Sequence, residues 1–281
     1  NGDKGRVNIL YATKPLSTQA ILDGEHAFED GEIPIGISYE GPITVNMRDV
    51  AHILVAGQTG GGKSNFEKVV TTVLTLNNEN ADVYYLDFKG GMELASLTNR
   101  LGEDYRNFHK YEGPKACARF LSELGGKIEG RLKEIASRGV ANLDDYLKKQ
   151  IAVSDGAYKS ATEAGNQHEG LRRTYLVIDE IAQLYARDPS IAKEELTKAR
   201  DAVNRIARQG RAAGIHLIVA TQKPDAMSFD QTVKANLPAV LCFPMATQAA
   251  SVSALGTKRA FDLNPDIKGR AVWKYGPHTT E

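Results

Sequence analysis

The stretch His52-Ile53-Leu54-Val55-Ala56-Gly57-Gln58-Thr59-Gly60-Gly61-Gly62-Lys63-Ser64 decides how this chain is read. Its first five residues are an apolar run of strand length, and its last eight fit G-x-x-x-x-G-K-[S/T] in full. Beyond Ser64, the residues Phe66, Val69, Val70, Val73 and Leu74 recur at helical spacing, which predicts an amphipathic helix reaching Leu76. Glycines let the backbone between strand and helix curl, so that successive N–H groups face one concavity. The helix beginning near Gly62 adds the positive end of its dipole. Residues 57–64 are therefore expected to cradle the phosphates of ATP. Lys63 would reach the β- and γ-phosphates, and the Ser64 hydroxyl would complete the shell of a Mg²⁺ ion.

Outward from this stretch lie further short apolar runs. They are Ala81-Asp82-Val83-Tyr84-Tyr85-Leu86-Asp87, Tyr175-Leu176-Val177-Ile178-Asp179, Ile215-His216-Leu217-Ile218-Val219-Ala220 and Ala239-Val240-Leu241-Cys242-Phe243. Runs this short and rich in β-formers suit strands covered on both faces, which predicts an α/β fold with a mainly parallel central sheet flanked by helices. Helices are expected over residues 115–138, with Phe120, Leu121, Leu124, Ile128, Leu132 and Ile135 as the buried stripe, and over 189–209 beside Pro189. A last strand, Ala271-Val272-Trp273-Lys274-Tyr275, is expected at an edge. Before the glycine loop, Ile33, Ile35 and Ile37 alternate, as do Ile43, Val45 and Met47 across Tyr39-Glu40-Gly41-Pro42. That pattern predicts a β-hairpin capping one edge of the core. Residues 1–32 read as a linker or extension, 33–281 as the folded domain, and 156–170 as an exposed loop.

Three more elements carry chemistry. Asp179 closes an apolar strand, where a carboxylate can face Mg²⁺ through water, and Glu180 beside it can polarise an attacking water. Adjacent acids are also ordinary first residues of helices, but next to a complete phosphate loop the pair points to hydrolysis. Gln222 ends the run 215–220 and reads either as a turn residue or as a sensor of the γ-phosphate. Arg205, Arg208 and Arg211 cluster before that run; they can solvate a helix end, or one can reach a neighbouring subunit's ATP as an arginine finger.

Composition bounds the rest. The chain has 281 residues, 42% hydrophobic and 25% charged, with 35 basic and 35 acidic side chains and zero net charge. A lone copy does not announce strong electrostatic binding to nucleic acid. No run approaches the roughly 18–20 apolar residues of a membrane span, and no signal-peptide pattern is present. Asn1-Gly2-Asp3-Lys4-Gly5 has no initiator Met, so the chain reads as a piece of a longer protein from which a membrane anchor could be missing. Cys117 and Cys242 form neither a metal pattern nor a disulfide framework, which suits a reducing compartment.

The residues before and after the glycine loop carry a resemblance. His52-Ile53-Leu54-Val55-Ala56-Gly57, Arg211-Ala212-Ala213-Gly214-Ile215-His216-Leu217, Ala220-Thr221-Gln222-Lys223-Pro224 and Val233-Lys234-Ala235-Asn236-Leu237-Pro238 resemble the FtsK/SpoIIIE (FtsK/HerA superfamily) motor domain. Ile128-Glu129-Gly130-Arg131 and Gly139-Val140-Ala141-Asn142-Leu143-Asp144-Asp145-Tyr146 resemble its middle region, and the match keeps motif order over residues 33–276. The resemblance implies a RecA-like P-loop NTPase fold, an ATPase that assembles as a ring, usually a hexamer, and DNA of unspecified strandedness as the substrate. By position it assigns Lys63, Ser64, Asp179, Glu180 and Gln222 the roles above, and it prefers Arg211 as the arginine finger. The family's Asp-Pro-Lys reads Asp87-Phe88-Lys89-Gly90-Gly91 here, a variant closer to mobile-element and secretion members.

The expectation is thus the cytoplasmic ATPase domain of a conjugative DNA-transfer or related protein, at the inner face of the membrane in the full-length chain. Lys148-Lys149 is one candidate for the DNA channel. The alternatives are an EccC-like ATPase that drives protein secretion and a module in which ATP only controls assembly.

Overall fold

The computed structural model describes residues 28–281 except 79, 91–94, 155–169, 226–227 and 229. The chain enters through a hairpin, β1 (Glu32–Ser38) and β2 (Gly41–Asn46), and one turn of helix, α1 (Met47–Val50). It then alternates strand and helix: β3 (His52–Ala56), α2 (Lys63–Leu76), β4 (Ala81–Asp87), α3 (Ala95–Asp104), β5 (Phe108–Glu112) and α4 (Pro114–Ser137). After α5 (Leu143–Ser154) come β6 (Arg173–Asp179), α6 (Ala182–Tyr185), α7 (Lys193–Ala213) and β7 (Ile215–Thr221). The last elements are α8 (Gln231–Ala235), β8 (Ala239–Cys242), α9 (Gln248–Leu255), α10 (Arg259–Asp262), β9 (Val272–Tyr275) and β10 (His278–Thr280).

One sheet of order β10-β9-β8-β3-β7-β6-β4-β5 holds the domain together. From β8 to β5 all neighbours run parallel, so their C-terminal ends reach one edge. The continuous apolar runs are explained by burial on both faces. Leu54, Leu176, Ile178, Leu217 and Val219 pack beneath α4 and α7, whereas Ile53, Val55, Val83, Val177 and Ile218 pack beneath α2 and the hairpin.

Some expectations change. The hairpin forms its own two-stranded sheet and lies on α2, not on an edge of the central sheet. A register shift between Pro34 and Gly36 disturbs the alternation: Ile33 is fully buried but Ile37 is 49% exposed. The strand ending in Tyr275 is covered by β10, so the outermost strands are β10 and β5, neither of which stood out in the sequence. Helix α7 spans Lys193–Ala213, four residues later at each end than the 189–209 expected beside Pro189. The Asp188 carboxylate first accepts from the Ser190 N–H (2.8 Å) and hydroxyl (2.6 Å), a turn that competes with helix. Gly214 ends α7 in the left-handed region (φ 68°), where a Cβ would meet Leu143 at 2.0 Å. The exposed loop expected at 156–170 falls, apart from Gly170, outside the described residues, as do residues 1–27 of the expected linker. Among the described residues no helix is long and apolar enough to cross a membrane.

At the N-terminal ends of the strands sits a buried polar network. His52 Nδ1 accepts from the Leu217 N–H at 3.0 Å. His216 Nδ1 lies 3.1 Å from the Ala51 carbonyl, which can only accept, so that nitrogen carries the proton. Its Nε2 therefore accepts from Arg173, 3.2 Å away, and Arg173 also pairs with Asp144 of α5. Burial pushes His52 down to about 4, and burial followed by Arg173 lowers His216. Both imidazoles are neutral in the folded protein, whereas in the unfolded chain each takes up a proton near pH 6.5. Stability contributed here is thus present above that value and lost as the pH falls toward 4. For His52 the loss is about 2 kcal/mol at pH 5. Urea unfolding at pH 7 and pH 5 should show this drop, and His52→Asn, which keeps an acceptor for Leu217, should reduce it.

Candidate active site

The glycine loop is shaped by what presses on it. Phe243, the residue after β8, donates its N–H to the Ala56 carbonyl (2.8 Å), and Pro244 accepts from the Gln58 N–H (2.9 Å). The Phe243 ring lies so close that a Cβ at Gly62, whose φ is 130°, would come within 2.8 Å of it. From the other side the Gly269 N–H donates to the Gly61 carbonyl at 3.1 Å. The loop is thereby held from both sides by the protein itself. Lys63 opens α2 and is 6% exposed; its Nζ donates to the carbonyls of Gly57 (2.5 Å) and Gln58 (3.1 Å). Burial, then neighbouring Lys89, lowers its pKa.

Parallel pairing brings the acids to the same edge. Asp87 and Asp179 end β4 and β6 directly opposite one another. Glu180 follows with φ 54°, an unusual value for a residue with a side chain, held while the next N–H, of Ile181, donates to Ala220 (2.9 Å). Its buried carboxylate accepts from the Thr221 hydroxyl (2.9 Å) and the Gln222 N–H (3.1 Å). The Gln222 side-chain oxygen in turn accepts from the Thr59 hydroxyl at 3.0 Å. A continuous polar chain thus joins the glycine loop to Glu180 through the end of β7.

Two further residues enter the site. Lys89 lies with Nζ 3.1 Å from Glu180 and 3.6 Å from Asp179. Although burial opposes it, the two carboxylates raise its pKa. Asp179 is itself raised, by burial foremost. Glu67, one turn into α2, is fully buried and accepts from the Tyr85 hydroxyl at 3.1 Å. Burial, then the Asp179 charge, pushes Glu67 up to about 8. Lys89 had stood out only as part of a variant motif, and Glu67 hid inside an apolar helix stripe.

The residue set fits ATP and Mg²⁺. Ser64 and Asp179 offer oxygen donors of the kind a hard cation takes. Behind the loop, the Phe243 side chain leaves no room for a Cβ at Gly57 or Gly62. By contrast Arg211 is remote. It sits exposed at the end of α7, before β7, whose seven residues span about 20 Å to the site edge. It cannot serve its own site. Arg208 donates to the Asn204 carbonyl and Arg205 neighbours Glu129, both in the groove between α4 and α7.

Comparison with known proteins places this arrangement. The family model described as FtsK/SpoIIIE family matches residues 26–226. The chain belongs to the FtsK/SpoIIIE family. DNA translocase FtsK of Lactococcus lactis subsp. cremoris is 28% identical over 233 residues, 83% of this chain and 29% of that protein. DNA translocase FtsK of Staphylococcus aureus (strain Mu50) is 28% identical over 253 residues, 88% of this chain and 30% of that protein. The chain therefore spans under a third of the length of these relatives. Among solved structures, the pCW3 conjugation coupling protein TcpA, a monomer form with ATPγS, matches with a TM-score of 0.77 and 28% identity. That match covers 95% of this chain and 69% of TcpA. The cytoplasmic domain of the type VII secretion ATPase EccC from Thermomonospora curvata matches with a TM-score of 0.70 at 21% identity, over 95% of this chain and 30% of that one, and so shares the fold. As an FtsK/SpoIIIE member with a complete glycine loop, the chain is a P-loop ATPase domain.

Lys63→Ala should weaken binding of ATPγS at least tenfold in a fluorescence titration while the thermal midpoint stays within a few degrees; near-normal binding would contradict the site assignment. Glu67 gives a second test. The unfolded chain loses this proton near 4.5, the folded one near 8, so stability from this group is complete below 4.5 and is lost as the pH rises to 8. Glu67→Gln should therefore raise the urea midpoint at pH 8 and change it little at pH 4.5.

Proposed function

We propose that this chain is the motor domain of a DNA translocase, coupling ATP hydrolysis to movement of DNA in conjugative transfer or a related mobile element. The observation that carries the reading is the convergence of Lys63, Ser64, Asp179, Glu180 and Gln222 on one sheet edge, with Glu180 linked to the glycine loop through Gln222 and Thr59. In this reading Ser64 and Asp179 hold Mg²⁺, which when bound offsets charge developing on the phosphates. Lys63 turns from its own loop carbonyls to the β- and γ-phosphates. Glu180 Oε2 draws on a proton of the attacking water, and Gln222 is placed to report the γ-phosphate to β7.

The relatives named DNA translocase, 28% identical over 83% and 88% of this chain, support DNA as the substrate. Lys89-Gly90-Gly91, reminiscent of mobile-element and secretion members alike, is what keeps a second reading, an EccC-like role in protein secretion. In the DNA reading the domain works as a ring, with six copies and Arg211 supplied to the neighbour's ATP, at the cytoplasmic face of the membrane. A ring also accommodates zero net charge, because repeated basic residues concentrate in one channel. Lys148 is exposed in the middle of α5, not at its end, and Lys149 donates to the Arg138 carbonyl, so Lys148 is the freer of the two.

Hydrolysis rates with double-stranded DNA, single-stranded DNA and no nucleic acid, at two salt concentrations, test the reading. It expects stimulation of at least fivefold by one form, weakening as salt rises; rates indifferent to all three would overturn it. Arg211→Ala should abolish most hydrolysis while leaving ATPγS affinity within about twofold. Mixing it with Glu180→Gln subunits should restore activity where an intact site meets an intact arginine; no recovery at any ratio would count against supply in trans.

A further inference from the structure

The acid pair already has a cation. Lys89 Nζ stands 3.1 Å from Glu180 Oε2 and 3.6 Å from Asp179 Oδ1, and its side chain is one-third exposed. Its backbone is held with equal care: Asp87 Oδ1 accepts from the N–H groups of Lys89 (3.0 Å) and Gly90 (2.8 Å). Asp87 also takes the Gly113 N–H on its carbonyl at 2.8 Å, so the anchor is tied to the start of α4. The result is a lysine with a fixed base and a reachable tip, aimed at the two carboxylates that metal-bound nucleotide must engage.

Charge makes that position consequential. Asp87, Asp179 and Glu180 crowd one sheet edge, with Glu67 buried behind them. Lys63, the other cation at hand, is spent on the carbonyls of Gly57 and Gln58. Like charges this close destabilise one another unless a counter-ion is present, and a partly buried pair is only weakly screened by salt. A lysine and a divalent cation drawn to the same pair of carboxylates repel each other, so the binding of each opposes that of the other.

We propose that Lys89 is an exchangeable counter-cation: it holds Asp179 and Glu180 in place in the nucleotide-free protein and yields Asp179 to the divalent metal that enters with ATP. This rests on the ATPase site described above. Lys89 is a positioning residue, acting through the acids. It sets a threshold, because metal must displace a built-in competitor before the site is charged for hydrolysis.

The test measures thermal unfolding and binding, not turnover. Wild type, Lys89→Met and Lys89→Arg are titrated with Mg²⁺ alone, and then with Mg²⁺ at saturating ATPγS, following the melting midpoint and the fluorescence of a labelled nucleotide. Without metal, Lys89→Met should melt several degrees below wild type, and Mg²⁺ alone should recover more of that loss than it adds to wild type. With ATPγS, the Mg²⁺ concentration for half-saturation should fall at least fivefold in Lys89→Met and return toward wild type in Lys89→Arg. A folded Lys89→Met protein with an unchanged or higher Mg²⁺ requirement would overturn the proposal. If Lys89→Met does not fold, Lys89→Arg decides through its own requirement: a bulkier, always-charged competitor should hold it within twofold of wild type or raise it, and a clear fall would overturn the exchange. Wild type that fails to bind ATPγS with Mg²⁺ would instead remove the site reading on which the proposal rests.

Discussion

Parallel pairing of β3, β7, β6 and β4 is the constraint from which the site follows. Strands that run the same way deliver their C-terminal residues to one edge, so Ala56, Asp87, Asp179 and Thr221 arrive together without any loop having to search for the others. The sheet is buried on both faces, under α4 and α7 on one side and α2 on the other, which makes that edge rigid. The glycine loop, the acid pair and Gln222 are therefore positioned by the core itself.

The same geometry divides the molecule into two ends. At one end, the oxygens and N–H groups of residues 57–64, Asp179, Glu180 and Gln222 form a polar surface, which in the proposed reading receives phosphate and metal. At the other, His52, His216, Arg173 and Asp144 close a buried network that ties α5 to the strand starts. Arg131 reinforces that end, donating from Nη2 to the Arg172 carbonyl (2.6 Å) and from Nε to the Ala213 carbonyl (3.1 Å). Several segments that carried the family resemblance, including Gly139 to Tyr146 and the Arg211-Ala212-Ala213-Gly214 turn, lie at this second end. There they serve packing: Leu143 fits against Gly214, and Tyr146 donates to Glu134 at 2.7 Å.

Most of the parallel core was legible because burial on two faces writes itself as unbroken apolar runs, and the glycine loop because its backbone demands particular residues at fixed spacing. The edges were not. Strand β5 reads Phe108-His109-Lys110-Tyr111-Glu112 and β10 reads His278-Thr279-Thr280, polar sequences whose strand character comes from a neighbour's unpaired backbone. The start of α7 was misplaced because the Asp188 carboxylate captures Ser190. In the site, the acids and Gln222 could be placed from their strand-end positions. Phe243, Glu67 and the reach of Lys89 could not, since each acts across sequence separations that only the sheet order reveals.

In the proposed mechanism Glu180 drives hydrolysis at a site whose binding elements are separate from it. Single-turnover measurement on Glu180→Gln addresses this directly, by following bound radiolabelled ATP to ADP alongside its equilibrium affinity. ATP should bind within about threefold of wild type while the hydrolysis step slows at least roughly 100-fold. Hydrolysis close to the wild-type rate, or loss of binding as large as the loss of rate, would contradict it.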